Sequence, residues 1–564
     1  MRSEEILKKY WGFDDFRGIQ KEIIESVLDG HDTLGLMPTG GGKSITFQVP
    51  AMALEGTCIV ITPLIALMKD QVQNLKKRGI KAAAIYSGLS QSEITQALEN
   101  AIFGAVKLLY VSPERLSSEL FMYKIRHLKV SFICVDEAHC ISQWGYDFRP
   151  SYLAIANIRK DFPNVPILAL TATATPDVVD DIQNRLAFRE KRVFKMSFAR
   201  KNLAYLVRHT SNKSQYLIRI LSNTKGSAIV YVRSRKQTQE YADLLNQTNI
   251  SATAYHAGLE NLEKDKRQKL WQTDQIRVMV ATNAFGMGID KPDVRTVVHT
   301  DCPDCIEAYF QEAGRAGRDG RQSYAVLLFD DNDKAKLQRR VADNYPEKDF
   351  IRQIYDQLAY FYQIGIGSGY NAVFEFPIEQ FCRTYKRFPT TTNSALHILT
   401  QAGYIDYMED EEARARVKFC IERDELYRLS GNTEQEDMII VALLRNYTGM
   451  FQGYQFIDEQ VIGQQCNMSH SQVYMTLRTL TQKRILNYIP QKRTSFIRYT
   501  QRREESERLV FPPAIYDDLK ARFADRIQKM IEYATTENIC RSRMLLRYFG
   551  ETDTKDCGQC DVCR

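Results

Sequence analysis

Short apolar runs alternate with amphipathic helical segments twice along the chain, and this alternation constrains the fold more than any other sequence feature. The first block contains the runs GTCIVIT (56–62), VKLLYVS (106–112), VSFICVDE (130–137) and VPILALTAT (165–173). The second block contains GSAIVYV (226–232), SATAYH (251–256), IRVMVAT (276–282), RTVVHT (295–300) and SYAVLLF (323–329). Apolar strands separated by helices form parallel sheets, because the crossover helices cover both sheet faces. The fold class is therefore predicted to be α/β, with two tandem parallel-sheet lobes at 1–205 and 206–340 and a cleft between them.

Length and composition set the remaining limits. A chain of 564 residues is too long for a single hydrophobic core, so further domains are expected. Its 44% hydrophobic and 26% charged residues are typical of a globular protein. It has no apolar run of membrane-spanning length and no signal-peptide pattern at the N-terminus, so we expect a cytoplasmic protein with no membrane partner. The net charge of +7 permits a nucleic-acid partner without requiring one.

Beyond residue 340, two stretches share one layout of helices and short strands. The first is FPIEQFCRTYKRFPTTTNSALHILTQAGYIDY (376–407), which leads through a polar tip into VKFCIER (417–423). The second is FIDEQVIGQQCNMSHSQVYMTLRTLTQKRILNYI (456–489), which leads through PQKRTS into FIRYT (496–500). Each predicts helix, turn, helix, strand, tip and returning strand, the order of a winged helix. We assign winged-helix-like segments to 341–430 and 431–512, each with its own strand hairpin, and a helical cysteine module to 513–564.

A glycine-rich loop, MPTGGGKS (37–44), lies between an apolar run and a helical segment. Such a turn can direct successive backbone N–H groups at a phosphate, with the lysine reaching the β- and γ-phosphates and the serine hydroxyl binding Mg²⁺. The strict motif has glycine at the position of Met37, so a chance glycine loop stays open for this motif alone. The residues assigned to nucleotide binding are Met37, Pro38, Thr39, Gly40, Gly41, Gly42, Lys43 and Ser44.

A second motif, DEAH (136–139), ends one of the predicted strands of the same lobe. Acidic residues at the carboxyl edge of a parallel sheet face the crevice where ligands bind. Asp136 is placed to hold Mg²⁺ with Ser44, and Glu137 to orient and deprotonate the attacking water. The two motifs together predict ATP hydrolysis with Mg²⁺.

The second lobe contains QEAGRAGRDG (311–320), in which Arg315 and Arg318 are three residues apart. On a helix they would share one face, directed across the cleft. A guanidinium at the γ-phosphate stabilises the transition state of phosphoryl transfer, and its position on the other lobe makes hydrolysis depend on closure. The alternative is a basic helix face with no catalytic role.

With these motifs in this order, the chain resembles the RecQ family of DNA helicases in helicase superfamily two, of the bacterial type but with a long insertion before the zinc module. The resemblance also rests on FDDFRGIQ (13–20), ITPLIALMKDQV (61–72), YVSPERL (110–116), DEAHCISQWGYDFRPSY (136–152), LALTATAT (168–175), VYVRSR (230–235), YHAGL (255–259) and ATNAFGMGIDKPDVR (281–295). It implies two RecA-like lobes and ATP-dependent 3′ to 5′ unwinding of DNA, in repair or recombination. It also implies nucleotide contacts by Phe13, Arg17, Gln20 and Asp290.

The resemblance further implies an aromatic-rich loop within CISQWGYDFRPSY (140–152) that senses single-stranded DNA. Trp144 and Phe148 offer stacking faces, and Arg149 offers a phosphate or cation–π contact. His139 is assigned to the same DNA-binding set. Packing between the lobes is the alternative for Phe148.

Four of the 12 cysteines crowd into the last 25 residues: Cys540, Cys557, Cys560 and Cys563. Four thiolates suit a closed tetrahedral Zn²⁺ site, and an iron–sulfur cluster is the alternative. The resembling family has the same CRSRMLLRYFGE and CGQC arrangement, which favours zinc, but there the module directly follows the second lobe. Cys302 and Cys305 also have C-x-x-C spacing, but no second pair lies nearby in the sequence, so a structural role is predicted for them.

Charge distinguishes the two winged-helix-like segments. No acidic residue occurs from Gln460 to Arg503, and Lys492, Arg493 and Arg498 are predicted to contact duplex DNA. The first tip, MEDEEARAR (408–416), would repel phosphate and is expected to dock against protein. A solvated basic face is the alternative for the second segment.

The sequence thus favours an ATP-dependent DNA helicase whose cofactors are ATP, Mg²⁺ and Zn²⁺. We expect it to bind single-stranded DNA and duplex junctions, to meet single-strand-binding or other repair proteins, and to act as a monomer at the nucleoid. An RNA helicase is the runner-up, because DEAH does not select the sugar. A winged-helix DNA-binding regulator with a vestigial ATPase is the alternative from another class.

Overall fold

The computed structural model describes residues 2–564 apart from 39, 87–88, 90, 143–144, 146, 148, 287–288, 290, 414, 427–430, 448, 452–454 and 491. It divides into two compact units. The first comprises Met1–Gln338 and Arg522–Arg564, and the second comprises Arg339–Ala521.

The first lobe is a parallel sheet with helices around it. Its helices are α1 (Ser3–Trp11), α2 (Gln20–Leu28), α3 (Lys43–Ala53), α4 (Ile65–Lys77), α5 (Gln91–Ile102), α6 (Glu119–Ile125), α7 (Ile155–Asp161) and α8 (Pro176–Arg185). Its strands are β1 (Thr33–Leu36), β2 (Thr57–Ile61), β3 (Ala82–Ile85), β4 (Leu108–Val111), β5 (Val130–Val135), β6 (Ile167–Thr171) and β7 (Val193–Lys195). The strand order is β3-β4-β2-β5-β6-β1-β7.

The second lobe repeats this architecture. Its strands are β8 (Leu203–His209), β9 (Ser227–Tyr231), β10 (Ala252–Tyr255), β11 (Val278–Ala281), β12 (Val294–His299) and β13 (Ser323–Phe329). Its helices are α9 (Lys213–Asn223), α10 (Arg235–Gln247), α11 (Asn261–Gln272), α12 (Ile306–Ala313) and α13 (Asp331–Asn344). All pairs in the order β10-β11-β9-β12-β13-β8 are parallel. The predicted α/β class and its two parallel sheets are confirmed, because apolar runs buried on both faces favour such sheets.

The second unit contains two small helical cores, each with a three-stranded antiparallel sheet. Its helices are α14 (Lys348–Phe361), α15 (Ile378–Tyr385), α16 (Pro389–Gln401), α17 (Arg423–Leu426), α18 (Glu434–Asn446), α19 (Glu459–Cys466) and α20 (His470–Gln482). Its strands are β14 (Val373–Phe376), β15 (Ile405–Ala413), β16 (Arg416–Phe419), β17 (Gln455–Phe456), β18 (Leu486–Ile489) and β19 (Lys492–Tyr499). The sheets have the orders β14-β19-β15 and β17-β16-β18.

The strand pairing predicted within each winged-helix-like segment is wrong. The first segment's β15 pairs with β19, and β16 pairs with β18 rather than returning to β15. The second winged helix is therefore inserted into the hairpin of the first. The cores decide this pairing, because Ile405 and Ile497 are buried with α14 and α16, whereas Val417 and Leu486 are buried with α18 and α20. An alternating pattern specifies a strand's buried face but not its partner.

The chain ends with α21 (Asp517–Thr535) and α22 (Arg541–Tyr548), and residues from Arg522 onward belong to the first unit with the two lobes. Among the helices in the described part of the chain, none is both long enough and apolar enough to cross a bilayer.

The nested pairing predicts a specific disulfide. Asp406 of β15 lies directly opposite Arg498 of β19, and the Cα atoms of directly opposite residues in antiparallel strands are about 4.5–5.5 Å apart, a separation that a disulfide can span. Asp406→Cys with Arg498→Cys should therefore form a bridge under mild oxidation, detected by peptide mapping with mass spectrometry. The matched control is Asp406→Cys with Lys418→Cys, which places the second thiol on β16 and should stay reduced. A bridge only in the control would overturn the pairing.

Candidate functional site

The glycine-rich loop connects β1 to α3, and its glycines are required by both backbone conformation and space. Gly42 caps α3 with a φ of 77°, in the left-handed region where glycine is favoured. A Cβ at Gly42 would lie 2.4 Å from the Gln20 amide nitrogen, and one at Gly40 would lie 3.4 Å from the Arg318 side chain. Met37 and Pro38 are buried, and Thr39 lies outside the described residues.

Lys43 and the DEAH acids form a buried charge cluster. The Lys43 ammonium is 3.5 Å from a Glu137 carboxylate oxygen, and the two side chains are 17% and 11% exposed. Burial alone would lower the pKa of Lys43, but Glu137 and Asp136 raise it overall. Burial, aided by Glu137 and opposed by Lys43, raises the pKa of Asp136 to about 6. The site thus holds a charged lysine against two carboxylates away from bulk water.

Glu137 has a strained backbone conformation at the end of β5. Its φ of 48° and ψ of 47° are left-handed, which costs a non-glycine residue about 1–3 kcal/mol. Burial would raise the pKa of Glu137, but Lys43, His139 and Arg315 lower it overall. Its Oε2 atom has no hydrogen-bond partner among the described residues and lies 3.5 Å from His139 Nδ1. An ionised carboxylate with a free acceptor atom can orient and deprotonate a water molecule.

The predicted helical placement of Arg315 and Arg318 is wrong. Helix α12 ends at Ala313, and both arginines lie in the turns that follow it. The helix stops because Gly317 adopts a φ of 64°, and because Arg200 binds the freed carbonyls, including that of Gly317 at 2.8 Å. A side chain thus replaces the hydrogen bonds that another helical turn would have made.

Both arginines nevertheless reach the first lobe's site. Arg318 side-chain carbons pack against Gly40, and its guanidinium donates to the Ile289 carbonyl at 2.7 Å. Arg315 is only 4% exposed, and its charge contributes to the lowered pKa of Glu137. The structure therefore brings together Lys43, Asp136, Glu137, Arg315 and Arg318.

The residues assigned to the adenine surround the start of α2. Phe13 is 46% exposed, and the Arg17 guanidinium lies 5.5 Å from its ring centre. Gln20 is buried: its oxygen accepts from the Arg17 N–H at 2.9 Å, and its nitrogen donates to the Gly42 carbonyl at 3.0 Å. Gln20 thus links the adenine residues to the phosphate loop, a contact that the sequence did not predict. Asp290 lies outside the described residues.

The donor set fits a magnesium nucleotide. Asp136 and Ser44 offer a carboxylate and a hydroxyl, the oxygen ligands that Mg²⁺ prefers. The Ser44 hydroxyl accepts a long hydrogen bond from the Gln71 side chain, at 3.5 Å. The absence of Cβ atoms at Gly40 and Gly42 lets the Arg318 and Gln20 side chains approach the loop closely, and successive backbone N–H groups of such a glycine loop can bind a phosphate.

Of the residues assigned to DNA around the aromatic-rich loop, the structure describes His139 and Arg149. His139 is fully buried, with Nδ1 2.9 Å from the Thr171 hydroxyl, and is therefore not placed to contact DNA. Arg149 is half-buried and binds Asp147 at 3.0 Å. Trp144 and Phe148 lie outside the described residues. His139 instead connects the loop's first residues to Glu137.

The C-terminal module packs against both lobes. Its Arg526 donates to the Gly145 carbonyl of the aromatic-rich loop at 3.0 Å, and Tyr548 donates to Glu307 of α12 at 2.8 Å. Asp561 accepts from the Val207 N–H of β8 at 3.2 Å. No pattern in the sequence predicts these contacts, because charged residues on an amphipathic helix are usually solvated.

The four C-terminal cysteines converge on one point. Their Sγ atoms all lie within 4.8 Å of one another, and those of Cys540 and Cys560 are 3.9 Å apart. A tetrahedron with Zn–S bonds of about 2.3 Å has S–S edges of about 3.8 Å, so the cluster fits zinc. By contrast, Cys305 caps α12 by accepting from the Ala308 N–H, and no candidate metal group among the described residues includes Cys302 or Cys305.

The contrast between an acidic first wing and a basic second wing is also wrong. The acidic run lies on β15 and the basic run on β19, and these strands form one ribbon. Glu412 pairs with Arg493 and Ala413 with Lys492. Arg498 forms an ion pair with Asp406 at 2.7 Å. This ion pair partly neutralises one cation of β19, so Arg498 is not free to bind a phosphate in this structure.

Four stretches of the chain match described protein families. Residues 17–182 match the DEAD/DEAH box helicase family, and residues 212–320 match the helicase conserved C-terminal domain. Residues 417–490 match the RecQ helicase winged-helix domain of Bacteroidota, and residues 497–564 match the RecQ zinc-binding domain. The last match and the cysteine geometry together support zinc.

Curated relatives match about three fifths of the chain. The ATP-dependent DNA helicase RecQ of Pasteurella multocida is 44% identical over 336 residues, which are 59% of this chain and 53% of that protein. That of Bacillus subtilis is 45% identical over 335 residues, 59% of this chain and 57% of that protein. The chain thus spans little more than half of each relative. Among solved structures, the DUF1998 helicase MrfA bound to DNA matches with a TM-score of 0.50 and 18% sequence identity. The match covers 58% of this chain and 50% of that chain, and at this identity it shows a similar fold alone.

Loss of one zinc ligand should destabilise the C-terminal module. Cys557→Ser leaves three thiolates, and metal binding contributes on the order of 10 kcal/mol to such modules. We expect an insoluble or protease-sensitive protein, measured by limited proteolysis and by colorimetric zinc release. Cys420→Ser, at an exposed cysteine of the second unit, is the matched control and should keep its zinc. Normal folding of Cys557→Ser without zinc would contradict a structural site.

Proposed function

Because the chain belongs to the RecQ family of helicases, we propose that it is an ATP-dependent DNA helicase that translocates 3′ to 5′ on single-stranded DNA and unwinds duplexes. The observation that carries the proposal is the buried cluster of Lys43, Asp136 and Glu137 with Arg315 and Arg318 against it. The direction of movement rests on the family resemblance.

Each residue of the cluster has one role in hydrolysis. Lys43 and the glycine loop bind the β- and γ-phosphates, and Asp136 with Ser44 holds Mg²⁺. Glu137 accepts a proton from the attacking water through its free oxygen atom. Arg315 and Arg318 neutralise charge that develops on the γ-phosphate. Phe13, Arg17 and Gln20 hold the adenine, and Gln20 must exchange its loop contacts to do so.

The aromatic-rich loop couples DNA to this chemistry. It follows the strained Glu137 directly, and Tyr152 at its end donates to the Asp136 carbonyl at 3.0 Å. Arg526 of the zinc module holds its Gly145 carbonyl. Stacking of bases on Trp144 and Phe148 would compete with this anchored arrangement and shift Glu137 through His139.

The remaining assignments are parts of the same proposal. We assign ATP and Mg²⁺ as cofactors, single-stranded and junction DNA as substrate, and action as a monomer at the nucleoid, with single-strand-binding or other repair proteins as candidate partners. The segments 1–205, 206–340 and 513–564 act as two motor lobes and a zinc module, and the two nested winged helices lie within 341–512. An RNA helicase is less favoured, because the RecQ winged-helix and zinc-binding matches accompany the motor.

Hydrolysis should depend on both lobes. Lys43→Ala should abolish DNA-stimulated ATPase activity, and Arg318→Ala should lower kcat by roughly 10³-fold or more, the scale of a lost arginine finger. The matched control is Arg321→Ala, because Arg321 is exposed just beyond the same turn. Full activity of Arg318→Ala with DNA present would exclude Arg318 from catalysis.

Unwinding of matched 3′-tailed, 5′-tailed and RNA duplexes with ATP and Mg²⁺ tests the direction of unwinding and the preference for DNA over RNA. Preferential unwinding of the RNA duplex would favour an RNA helicase.

If Lys492 and Arg493 bind DNA phosphates, the ribbon formed by β15 and β19 should contact duplex DNA through β19. Charge reversal of both should then weaken duplex binding and reduce its salt dependence, measured by anisotropy titrations at several salt concentrations. Glu412→Gln removes the charge opposite Arg493 and should strengthen binding. If all variants give the salt slope of the unaltered protein, the ribbon does not contact the duplex.

A further inference from the structure

Tyr231 ends strand β9, at the edge of the second lobe's sheet where ligands bind in parallel-sheet proteins. It is buried, and its hydroxyl donates to the Phe285 carbonyl at 2.8 Å. His299 ends the neighbouring strand β12 and is paired directly with Tyr231 in the register. Paired residues of neighbouring strands direct their side chains to the same face of the sheet. The two strands therefore place two aromatic side chains side by side at this edge.

The Arg315 guanidinium packs against the peptide that Tyr231 holds. Its Nη2 atom lies 3.4 Å from the position that a Cβ of Gly286 would occupy, and Gly286 directly follows Phe285. Arg315 is buried, and its Nε atom has no hydrogen-bond partner among the described residues. Burial raises the pKa of the Tyr231 hydroxyl, and the charge of Arg315 opposes that rise. The Tyr231 hydroxyl and the Arg315 guanidinium are thus close neighbours.

The Tyr231 hydroxyl is suited to direct a guanidinium. Its proton is used by the Phe285 carbonyl, so its oxygen meets any second partner as an acceptor. A guanidinium has donors and no acceptor, which makes Arg315 a matching partner. The same guanidinium lowers the pKa of Glu137 through its charge, so it also lies within reach of the first lobe's site. A fixed acceptor behind Arg315 would therefore determine how the cation meets the γ-phosphate.

His299 fixes the backbone of the same arginine. Its ring stacks on that of Tyr231, with centres 5.2 Å apart and an angle of 20° between the planes. Its Nε2 atom lies 2.8 Å from a Glu312 carboxylate oxygen, and the Glu312 carbonyl accepts from the Arg315 N–H at 3.2 Å. His299 thus connects the Tyr231 ring to the turn that contains Arg315.

The aromatic stack continues into the C-terminal module. The ring centre of Tyr309 on α12 lies 5.0 Å from that of His299 and 5.2 Å from that of Tyr533 on α21. All of these rings are buried together with Tyr231. Close-packed aromatic rings have preferred separations and angles, which leaves them little freedom to turn. Tyr231 is therefore held in one orientation, as a residue that positions another side chain must be.

We propose that Tyr231 is a positioning residue for ATP hydrolysis, because its hydroxyl accepts a hydrogen bond from Arg315 and directs that guanidinium at the γ-phosphate. The proposal rests on the proposed ATPase function and on the role of Arg315 in it. Tyr231 acts on the transition state through Arg315. Loss of its hydroxyl should therefore lower kcat and leave the KM for ATP unchanged.

The first test is Tyr231→Phe, which removes the hydroxyl and keeps the ring that stacks on His299. We expect kcat for DNA-stimulated ATP hydrolysis to fall about tenfold or more at an unchanged KM, because hydrogen bonds to charged groups are the stronger ones. The matched control is Tyr205→Phe. The Tyr205 hydroxyl is buried in the same aromatic cluster and has no partner among the described residues, so its loss should leave kcat unchanged. An unaltered kcat in Tyr231→Phe would overturn the proposal.

Arg315→Ala distinguishes positioning from a structural role. In that background, Tyr231→Phe should cause no further loss of kcat, whereas an independent structural effect would add to the loss. Additive losses would therefore overturn the proposal. Full activity of Arg315→Ala would contradict the proposed role of Arg315 and would overturn the positioning role with it. A loss of activity in Arg315→Ala but not in Tyr231→Phe would reject the positioning role alone.

A binding measurement provides a readout that does not depend on turnover. ADP with aluminium fluoride and Mg²⁺ imitates the transition state of phosphoryl transfer, and its affinity is measured by displacement of fluorescent ADP. Tyr231→Phe should weaken binding of this analogue about tenfold or more and leave the affinity for ADP unchanged, because Arg315 acts at the γ-phosphate. An equal loss of affinity for both ligands would indicate a structural role for Tyr231 and would overturn the proposal.

Discussion

The buried charge cluster at the end of β5 is the interaction on which the rest of the site depends. Lys43 faces Asp136 and Glu137, and isolated charges at such burial would be strongly unfavourable. Arg315 and Arg318 add two cations from the second lobe, so three cations face two carboxylates. This excess of positive charge suits an anionic triphosphate. Neither lobe alone provides it, so the chemistry requires both.

The C-terminal module reinforces this two-lobe arrangement. It follows the winged helices in the sequence, yet its Arg526 contacts the first lobe's loop and its Tyr548 and Asp561 contact the second lobe. The zinc cluster that holds the module together therefore also stabilises contacts beside the site. The 183 residues of the second unit, Arg339–Ala521, are an insertion in the chain between two elements that stay packed together. The insertion of these residues between the second lobe and the C-terminal module therefore leaves the packing of the first unit intact.

The nested winged helices change where DNA contacts are to be sought. Strands β15 and β19 share one ribbon, and Asp406 of β15 forms an ion pair with Arg498 of β19. Counting charge along the sequence does not reveal that pairing.

The strands of both lobes, the glycine loop with Lys43, the DEAH acids and the four clustered cysteines could be predicted from the sequence. These features depend on residue order over a few positions, where backbone geometry and ligand chemistry leave few options. The sequence could not predict that β15 pairs with β19, that α12 ends before Arg315, that His139 is buried or that Arg526 contacts the aromatic-rich loop. Each of these depends on contacts between residues far apart in the chain, and a local pattern does not specify which of several similar strands, carbonyls or charges will be the partner.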